Sequence, residues 1–258
     1  MEREKQGHSS QTIAKAIELL DALAAVDEAK TVQSLAKKLK LHRNKVVAML
    51  TIMEQKGFIE RDPQLATYRL GLHSFGMAQR ILQNADMLRI VRPVMEDLAK
   101  KHAEAISFAV LDRDEVFFLD VVDTVHHIQA SEMVGQRFPF FTNAAGKAIK
   151  SLSSLDLLER IHGRRRDRSG LPDPQELRDE LAEIRKAGVA IDVGGFGDGV
   201  VTVAVAIRDY GGKVVGALTM LIPSIRMVQD RLEKELIPSM LEGAELLSMK
   251  FGYSRVPA

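Results

Sequence analysis

Six basic side chains and no acidic one lie between Ala29 and Met53, and this segment points most directly to chemistry. They are Lys30, Lys37, Lys38, Lys40, Arg43 and Lys45. Clustered lysines and arginines neutralise phosphates, so the run predicts a nucleic-acid partner. An ordinary solvated basic surface is the alternative interpretation. The net charge is only +1, but residues 1–72 hold 12 Lys and Arg against 9 Asp and Glu, whereas the remainder holds 24 against 26.

The segment from His42 to Lys56 has the pattern of a recognition helix. Its apolar side chains form one stripe, and small or polar side chains lie on the opposite face. In a major groove, asparagine pairs with adenine, arginine or lysine pairs with guanine, and a small apolar side chain meets a thymine methyl. Residues of the preceding helix are expected to meet phosphates. The candidate DNA contacts are Thr31, Gln33, Ser34, Lys38, His42, Arg43, Asn44, Lys45, Val47 and Ala48, with Arg61 and Arg69 from a following hairpin.

Three helices and a hairpin must position these side chains. The predicted elements are a helix from Ser10 or Gln11 to about Val26, a second helix capped by Thr31, a third from His42 to Lys56 that Gly57 ends, and strands at 58–61 and 67–70. The apolar residues with helical spacing in the first helix are Ile13, Ala16, Ile17, Leu20 and Leu23. Three helices followed by a hairpin predict a winged helix-turn-helix domain over residues 1–72.

Beyond a connector helix at 73–84, the chain alternates between strands and helices in blocks. The predicted strands lie at 107–111, 116–122, 127–131, 189–193, 200–208 and 214–221. The predicted helices lie at 87–102, 144–152, 155–161, 174–187 and 228–249. Blocks of this kind imply an α+β domain with a mostly antiparallel sheet flanked by helices, over residues 85–258.

A small-molecule site is predicted where Thr142 leads into a helix, because free amides at a helix start beside a hydroxyl can bind an anion. The candidate effector contacts are Met133, Phe140, Thr142, Ala145, Gly146, Asp192, Thr202 and Thr219, and Phe138 is expected to add to the apolar wall. The alternative is structural. Thr142 then only caps its helix, Gly146 only permits close packing, and the Met and Phe side chains belong to the core.

Other motifs do not form a catalytic or metal centre. The glycine cluster 194–199 precedes a strand and lacks a phosphate-loop ending, so it is interpreted as a mobile loop over the pocket. His126 and His127 point to opposite faces of a strand and make a poor metal chelate, and the basic tract 164–168 is interpreted as a solvated surface. The chain has no Cys. No nucleophile and base can be assembled, so we expect no enzyme, no metal and no cofactor.

Two groups of motifs resemble the IclR (isocitrate lyase regulator) type of bacterial transcription factor. In the first half they are residues 31–39, 46–50, 53–62 and 68–71, and in the second half residues 135–139, 142–148, 209–218 and 223–224. The resemblance runs from about residue 9 to 250. It implies a GAF-like effector domain, a homodimer formed through the DNA-binding half and the connector, often a tetramer, and a small organic ligand that controls a catabolic operon.

This chain departs from the family pattern at several positions. Ala48 stands where members usually carry arginine, and Asn44 with Lys45 replaces their usual Ser-Thr pair, so a different operator is expected. In the second half Val193 begins a Val-Gly-Gly segment in place of an acidic run, and Val201 with Thr202 replaces an Arg-Cys pair. A less polar pocket is therefore predicted, open to an aromatic or weakly polar ligand as well as to an organic acid.

The expected protein is a ligand-responsive, sequence-specific repressor that binds double-stranded operator DNA. The polar start of the chain has no apolar run typical of secretion, and no long apolar segment follows, so a cytoplasmic protein without a membrane partner is expected. A sensory or scaffold protein that uses its winged helix for protein association is the alternative function.

Overall fold

The computed structural model describes residues 2–25, 30–83, 86–124, 133–153, 172–197 and 199–254. Contacts divide the chain into two units, Met1–Ala85 and Asp86–Ala258. The predicted strand at 127–131, the predicted helix at 155–161, the His126-His127 pair and the basic tract 164–168 lie outside the described residues. In the described ranges no helix is long and apolar enough to cross a membrane.

The first unit confirms the winged helix-turn-helix prediction. Its elements are α1 (Glu2–Ala24), α2 (Val32–Leu39), α3 (Arg43–Gln55), β1 (Ile59–Asp62), β2 (Thr67–Leu70) and α4 (Leu72–Gln83). The strands β1 and β2 form an antiparallel hairpin, with Ile59 opposite Leu70 and Asp62 opposite Thr67. The core of this unit includes Leu19, Leu23, Leu35, Leu39, Val46, Leu50 and Ile59.

Local hydrogen bonds fix where α2 and α3 begin. Thr31 and Ser34 form a capping box at the start of α2, in which the Ser34 amide donates to the Thr31 hydroxyl at 3.2 Å and the Thr31 amide donates to the Ser34 hydroxyl at 3.1 Å. Lys40 ends α2 in the left-handed region at φ 53°. The Nδ1 of His42 then accepts from the Asn44 amide at 3.4 Å and caps α3. These caps satisfy amides that a helix start otherwise leaves without partners.

The first helix differs from its prediction. It begins at Glu2, so the expected start at Ser10 or Gln11 is wrong. Ile13 and Ile17, which belong to its apolar residues with helical spacing, are 61% and 56% exposed. The helix contacts α2 and β2, and its buried residues Leu19, Ala22 and Leu23 belong to its last turns. The apolar stripe therefore runs further along α1 than the core of this unit extends.

The second unit is built on one six-stranded sheet. Its elements are α5 (Asp86–His102), β3 (Ala105–Asp112), β4 (Glu115–Val122), β5 (Arg137–Pro139), α6 (Ala144–Ser151), α7 (Pro174–Ala187), β6 (Ala190–Val193), β7 (Val200–Arg208), β8 (Val214–Pro223) and α8 (Ile237–Lys250). The strand order is β5-β4-β3-β8-β7-β6, and every neighbouring pair is antiparallel. The α+β prediction is confirmed, whereas β5 was not foreseen as a strand.

Helices cover both faces of this sheet with different side chains. Large residues such as Phe108, Val203 and Met220 lie in one core cluster with residues of α5 and α8. On the other face Ala109 and Ala204 pack in the cluster that holds α6 and α7. Small side chains on this second face let α6 approach the sheet closely. The C-terminal helix is continuous with a helical turn Gln229–Arg231 and a π-helical segment Leu232–Leu236 before α8.

Gly146 in α6 is a position where packing requires glycine. A methyl group there would overlap the carbonyl oxygen of Phe140 and lie 2.7 Å from its carbonyl carbon. Gly146→Ala is expected to lower the free energy of unfolding by about 1–3 kcal/mol, because overpacking outweighs the better helix propensity of alanine. Urea unfolding of the full chain measures the change.

Gly76 in α4 is the matched control. A methyl group at Gly76 meets no heavy atom within 4 Å among the described residues. Gly76→Ala is therefore expected to raise stability by roughly 0.5–1 kcal/mol, because glycine loses more backbone entropy in a helix. Equal effects of the two substitutions would contradict the packing role assigned to Gly146.

Candidate DNA interface and effector cavity

The outer face of α3 carries the predicted base contacts. Val46, Met49 and Leu50 are buried beneath it. The predicted DNA contacts of this segment, His42, Arg43, Asn44, Lys45, Val47 and Ala48, are all exposed. The structure thus brings one amide, two cationic side chains and two small apolar side chains to one helix surface, the combination that reads base edges.

The predicted contacts at the start of α2 fall into two groups. Thr31 and Ser34 are half-buried, and their hydroxyls bond each other at 3.2 Å within the capping box. Gln33 and Lys38 are exposed on the same helix. Gln33 and Lys38 carry an amide and an ammonium group of the kind that contact phosphates, whereas the two hydroxyls serve the helix cap.

The two arginines of the wing differ in their surroundings. Arg69 donates through Nε and Nη2 to one carboxylate oxygen of Glu60, at 3.1 and 2.9 Å, across the β1–β2 ladder. Arg61 is exposed on β1. A phosphate or minor-groove contact by Arg69 must compete with Glu60, although an exposed ion pair of this kind contributes only about 0–1 kcal/mol.

A cavity of about 520 Å³ opens in the second unit. Its lining residues are Ala105, Thr124, Met133, Gln136, Phe138, Gly195, Phe196, Gly197, Val200, Leu221, Ile222, Pro223 and Arg226. An apolar lining with a few polar groups is typical of a small-molecule site. Met133 is the predicted effector contact that lines it, and Phe138 also lies where the apolar wall was expected.

Phe138 and Phe196 form the aromatic part of the cavity wall, and Phe118 packs against both rings. Phe196 packs edge-to-face against Phe138 at 5.2 Å and against Phe118 at 5.4 Å between ring centroids. Phe196 lies in the glycine-rich segment, of which Gly195 and Gly197 also line the cavity. Gly195 lets this segment lie close to Asp192 and Thr142. A methyl group at Gly195 would overlap the Asp192 carboxylate and lie 2.7 Å from the Thr142 carbonyl oxygen.

The start of α6 does not form the predicted anion site in this structure. Asn143, not Thr142, caps the helix: its Oδ1 accepts from the Gly146 amide at 2.9 Å, and it is fully buried. Thr142 is exposed and donates instead to the Pro139 carbonyl at 2.8 Å. Ala145 and Gly146 are buried. The close approach of α6 to the sheet thus covers the amides that the sequence suggested were open to a ligand.

Four more predicted contacts are not among the lining residues of the cavity. Phe140 is fully buried in the α6 cluster. Asp192 and Thr202 face each other across β6 and β7, and Thr202 lies opposite the cavity residue Leu221. The Oδ2 of Asp192 and the hydroxyls of Thr202 and Thr219 are buried without a hydrogen-bond partner among the described residues. Such atoms are costly unless something else satisfies them.

Sequence reasoning missed an ionic cluster at the cavity rim. Glu104 is 1% exposed and accepts from Arg226 at 2.6 Å and from Arg231 at 3.0 Å. Arg231 also donates to the His102 carbonyl at 2.8 Å. Burial lowers the pKa of His102, and the neighbouring charges of Lys101 and Arg231 lower it further. Glu104 and Arg226 are 122 residues apart, so no local motif could have revealed the pair.

In the described part of the chain, no group of three or more His, Cys, Asp or Glu side chains is placed to hold a metal ion. The chemistry present is instead that of a major-groove surface in one unit and a ligand cavity in the other. These features define a DNA-binding transcriptional regulator with an effector domain.

Comparisons with known proteins give the family. The family model "IclR helix-turn-helix domain" matches residues 12–63, and "Bacterial transcriptional regulator IclR C-terminal" matches residues 79–249. The chain therefore belongs to the IclR family of bacterial transcriptional regulators.

Individual relatives cover nearly the whole chain. The Escherichia coli "HTH-type transcriptional regulator KdgR" is 24% identical over 98% of this chain and 97% of its own length. The "Transcriptional repressor IclR" of the same species is 26% identical over 95% and 91%. The fold also matches an IclR homologue from Microbacterium hydrocarbonoxydans, solved with 4-hydroxybenzoate, at a TM-score of 0.78 and 22% identity over 94% of this chain and 100% of that one. The curated relatives are regulators, which agrees with the prediction of a non-enzyme.

Asn44 and Lys38 test the two kinds of DNA contact. Duplexes are first selected from a randomised pool by the wild-type protein. Asn44→Ala is then expected to relax selection at one base pair, at a cost of about 1–3 kcal/mol there. Lys38→Ala is expected to weaken matched and scrambled duplexes alike and to reduce the salt slope of log affinity by about 1. If both variants weaken the two duplexes equally, the assignment of Asn44 to base reading is wrong.

Proposed function

We propose that the protein is a ligand-responsive repressor of a catabolic operon, acting in the cytoplasm. The observation that carries this proposal is the pairing of an exposed α3 surface in one unit with a separate cavity in the other. α3 reads operator bases, Gln33 and Lys38 contact phosphates, and the hairpin arginines Arg61 and Arg69 contact the minor groove or the backbone. A small organic acid or an aromatic effector binds the cavity and lowers the affinity for the operator.

The DNA side is supported by the chemistry of α3 and by a relative. Asn44, Arg43 and Lys45 provide donors and acceptors at the start of the helix, where recognition helices meet base edges. The Escherichia coli relative IclR is a transcriptional repressor, which favours repression over activation here. Ala48 leaves no long side chain at the centre of the surface, so we expect an operator unlike that of relatives with arginine at this position.

Exposed apolar residues support a homodimer. Ile13 and Ile17 on α1 are 61% and 56% exposed, and Leu72 and Phe75 on α4 are 78% and 62% exposed. Apolar surface of this extent is typical of an interaction site. A second copy of the chain is the natural occupant, because helix-turn-helix proteins bind paired half-sites as symmetric dimers. A tetramer formed through the second units is consistent with this arrangement.

The effector side is supported by the aromatic wall. Phe138 and Phe196 line a cavity large enough for a small aromatic or aliphatic molecule. A structural relative binds 4-hydroxybenzoate. The Asp192 carboxylate and the hydroxyls of Thr202 and Thr219 have buried oxygens without a partner among the described residues, and Thr202 pairs with the cavity residue Leu221. We propose that these three groups satisfy polar groups of an effector.

Ligand response can be measured on the full chain. Aromatic and aliphatic acids are screened by thermal shift, and each acid that raises the Tm is added to the protein bound to its selected duplex. Binding at about 100 times Kd stabilises the folded protein by about 2.7 kcal/mol. The same acids are expected to weaken DNA binding by roughly 5–150-fold, the usual range of allosteric coupling.

Two valines provide a matched pair for this experiment. Val200 lines the cavity, whereas Val193 is 72% exposed on the edge strand β6. Val200→Phe is expected to abolish the response by filling the cavity, and Val193→Phe is expected to leave it intact.

If the wild-type protein enriches no duplex at any salt concentration, the regulator proposal is refuted in favour of a winged helix that binds protein.

A further inference from the structure

One charged side chain lines the cavity within the described residues, and it belongs to Arg226. The other lining side chains are apolar apart from Thr124 and Gln136. An anionic ligand in this cavity therefore has one cation within reach. The alternative anion site, the start of α6, is closed because Asn143 and Ala144 are fully buried there.

The guanidinium of Arg226 has donors to spare. A guanidinium carries five N–H donors in a planar fork. Nη2 donates to Glu104 at 2.6 Å, and Nε has no hydrogen-bond partner among the described residues. The side chain is still 30% exposed although Glu104 is 1% exposed. One edge of the fork is thus held by Glu104, Nε is without a partner among the described residues, and the residue lines the cavity.

The charge balance around Glu104 favours an added anion. Glu104 pairs with both Arg226 and Arg231, so one carboxylate faces two guanidinium groups and the cluster carries a net positive charge. Arg231 is turned away to the His102 carbonyl and does not line the cavity. Arg226 is therefore the group through which this excess positive charge can reach a ligand.

The apolar lining residues of the cavity determine the shape and polarity of the rest of the ligand. Phe138 and Phe196 meet edge-to-face at 5.2 Å, and Met133, Val200 and Leu221 complete an apolar surface. Aromatic rings prefer offset or edge-to-face neighbours, so a flat apolar body fits between these groups. Among the described lining residues, Arg226 is the one cation.

We propose that Arg226 is the carboxylate anchor of the effector cavity, that Glu104 holds it in position, and that the ligand is a carboxylate with a planar apolar body. This rests on the proposed function, because it deepens the ligand chemistry of the same cavity. The anchor lies at the carboxyl end of β8, away from the helix start that the sequence suggested.

Benzoate and its neutral amide, benzamide, test the anchor by calorimetry on the full chain. A hydrogen bond to a charged group is typically strong enough to give a preference of about tenfold or more for benzoate. Arg226→Gln is expected to reduce the benzoate-to-benzamide affinity ratio to about one. Arg231→Gln removes the other partner of Glu104 but no side chain that lines the cavity. It is the matched control: a clear preference for benzoate should remain, although the loss of one positive charge from the cluster lowers the ratio below the wild-type value.

Arg226→Lys is measured as a second variant, so that the test does not depend on whether Arg226→Gln folds. It keeps the charge but loses the fork, so an intermediate ratio is expected. Equal affinity for benzoate and benzamide in the wild-type protein, no binding of benzoate at millimolar concentration, or an unchanged ratio in Arg226→Lys would each overturn the anchor. DNA binding measured on the selected duplex is an independent readout. Retained DNA affinity with any of these results refutes the anchor alone, whereas loss of selective DNA binding in the wild-type protein refutes the proposed function.

Discussion

The close approach of α6 to the sheet is the constraint on which the effector unit depends. It is possible because the facing strands carry Ala109, Ala204 and Ala217. Gly146 in turn lets α6 pack directly on the backbone of Phe140, in the turn that leads into the helix. This contact excludes solvent from the start of α6. The same packing leaves the cavity at the other end of that sheet face, beyond the small side chains.

The buried carboxylate of Glu104 imposes a second constraint. A charge removed from water is costly unless it is paired and hydrogen-bonded. Two arginines from the segment after β8 meet this requirement, at 2.6 and 3.0 Å. In doing so they tie the region between α5 and β3 to the chain that leads into α8, and one of them is brought to the cavity rim. The pairing that compensates the burial of Glu104 thus also places a cationic residue where it is a candidate contact for a ligand.

In the DNA-binding unit, by contrast, local interactions position most of the candidate DNA-contact surface. The Thr31–Ser34 capping box and the His42 cap fix the starts of two helices, and Lys40 makes the turn between them. All of these residues lie within a dozen positions of one another. The exposed face of α3 then follows from burial of Val46 and Leu50 on the opposite side.

The sequence by itself determined the order of helices and strands, the buried stripe of α3 and its exposed contacts, because periodicity and caps depend on neighbours a few residues apart. It also placed Met133 and Phe138 at a ligand pocket. Only the tertiary structure decided that Asn143 caps α6, that Ala145 and Gly146 are covered, and that Ile13 and Ile17 lie outside the core. The tertiary structure also placed Arg226 at the cavity. Its role depends on Glu104, 122 residues away, and contacts between such distant residues are created by the packing of the sheet and leave no local pattern in the chain.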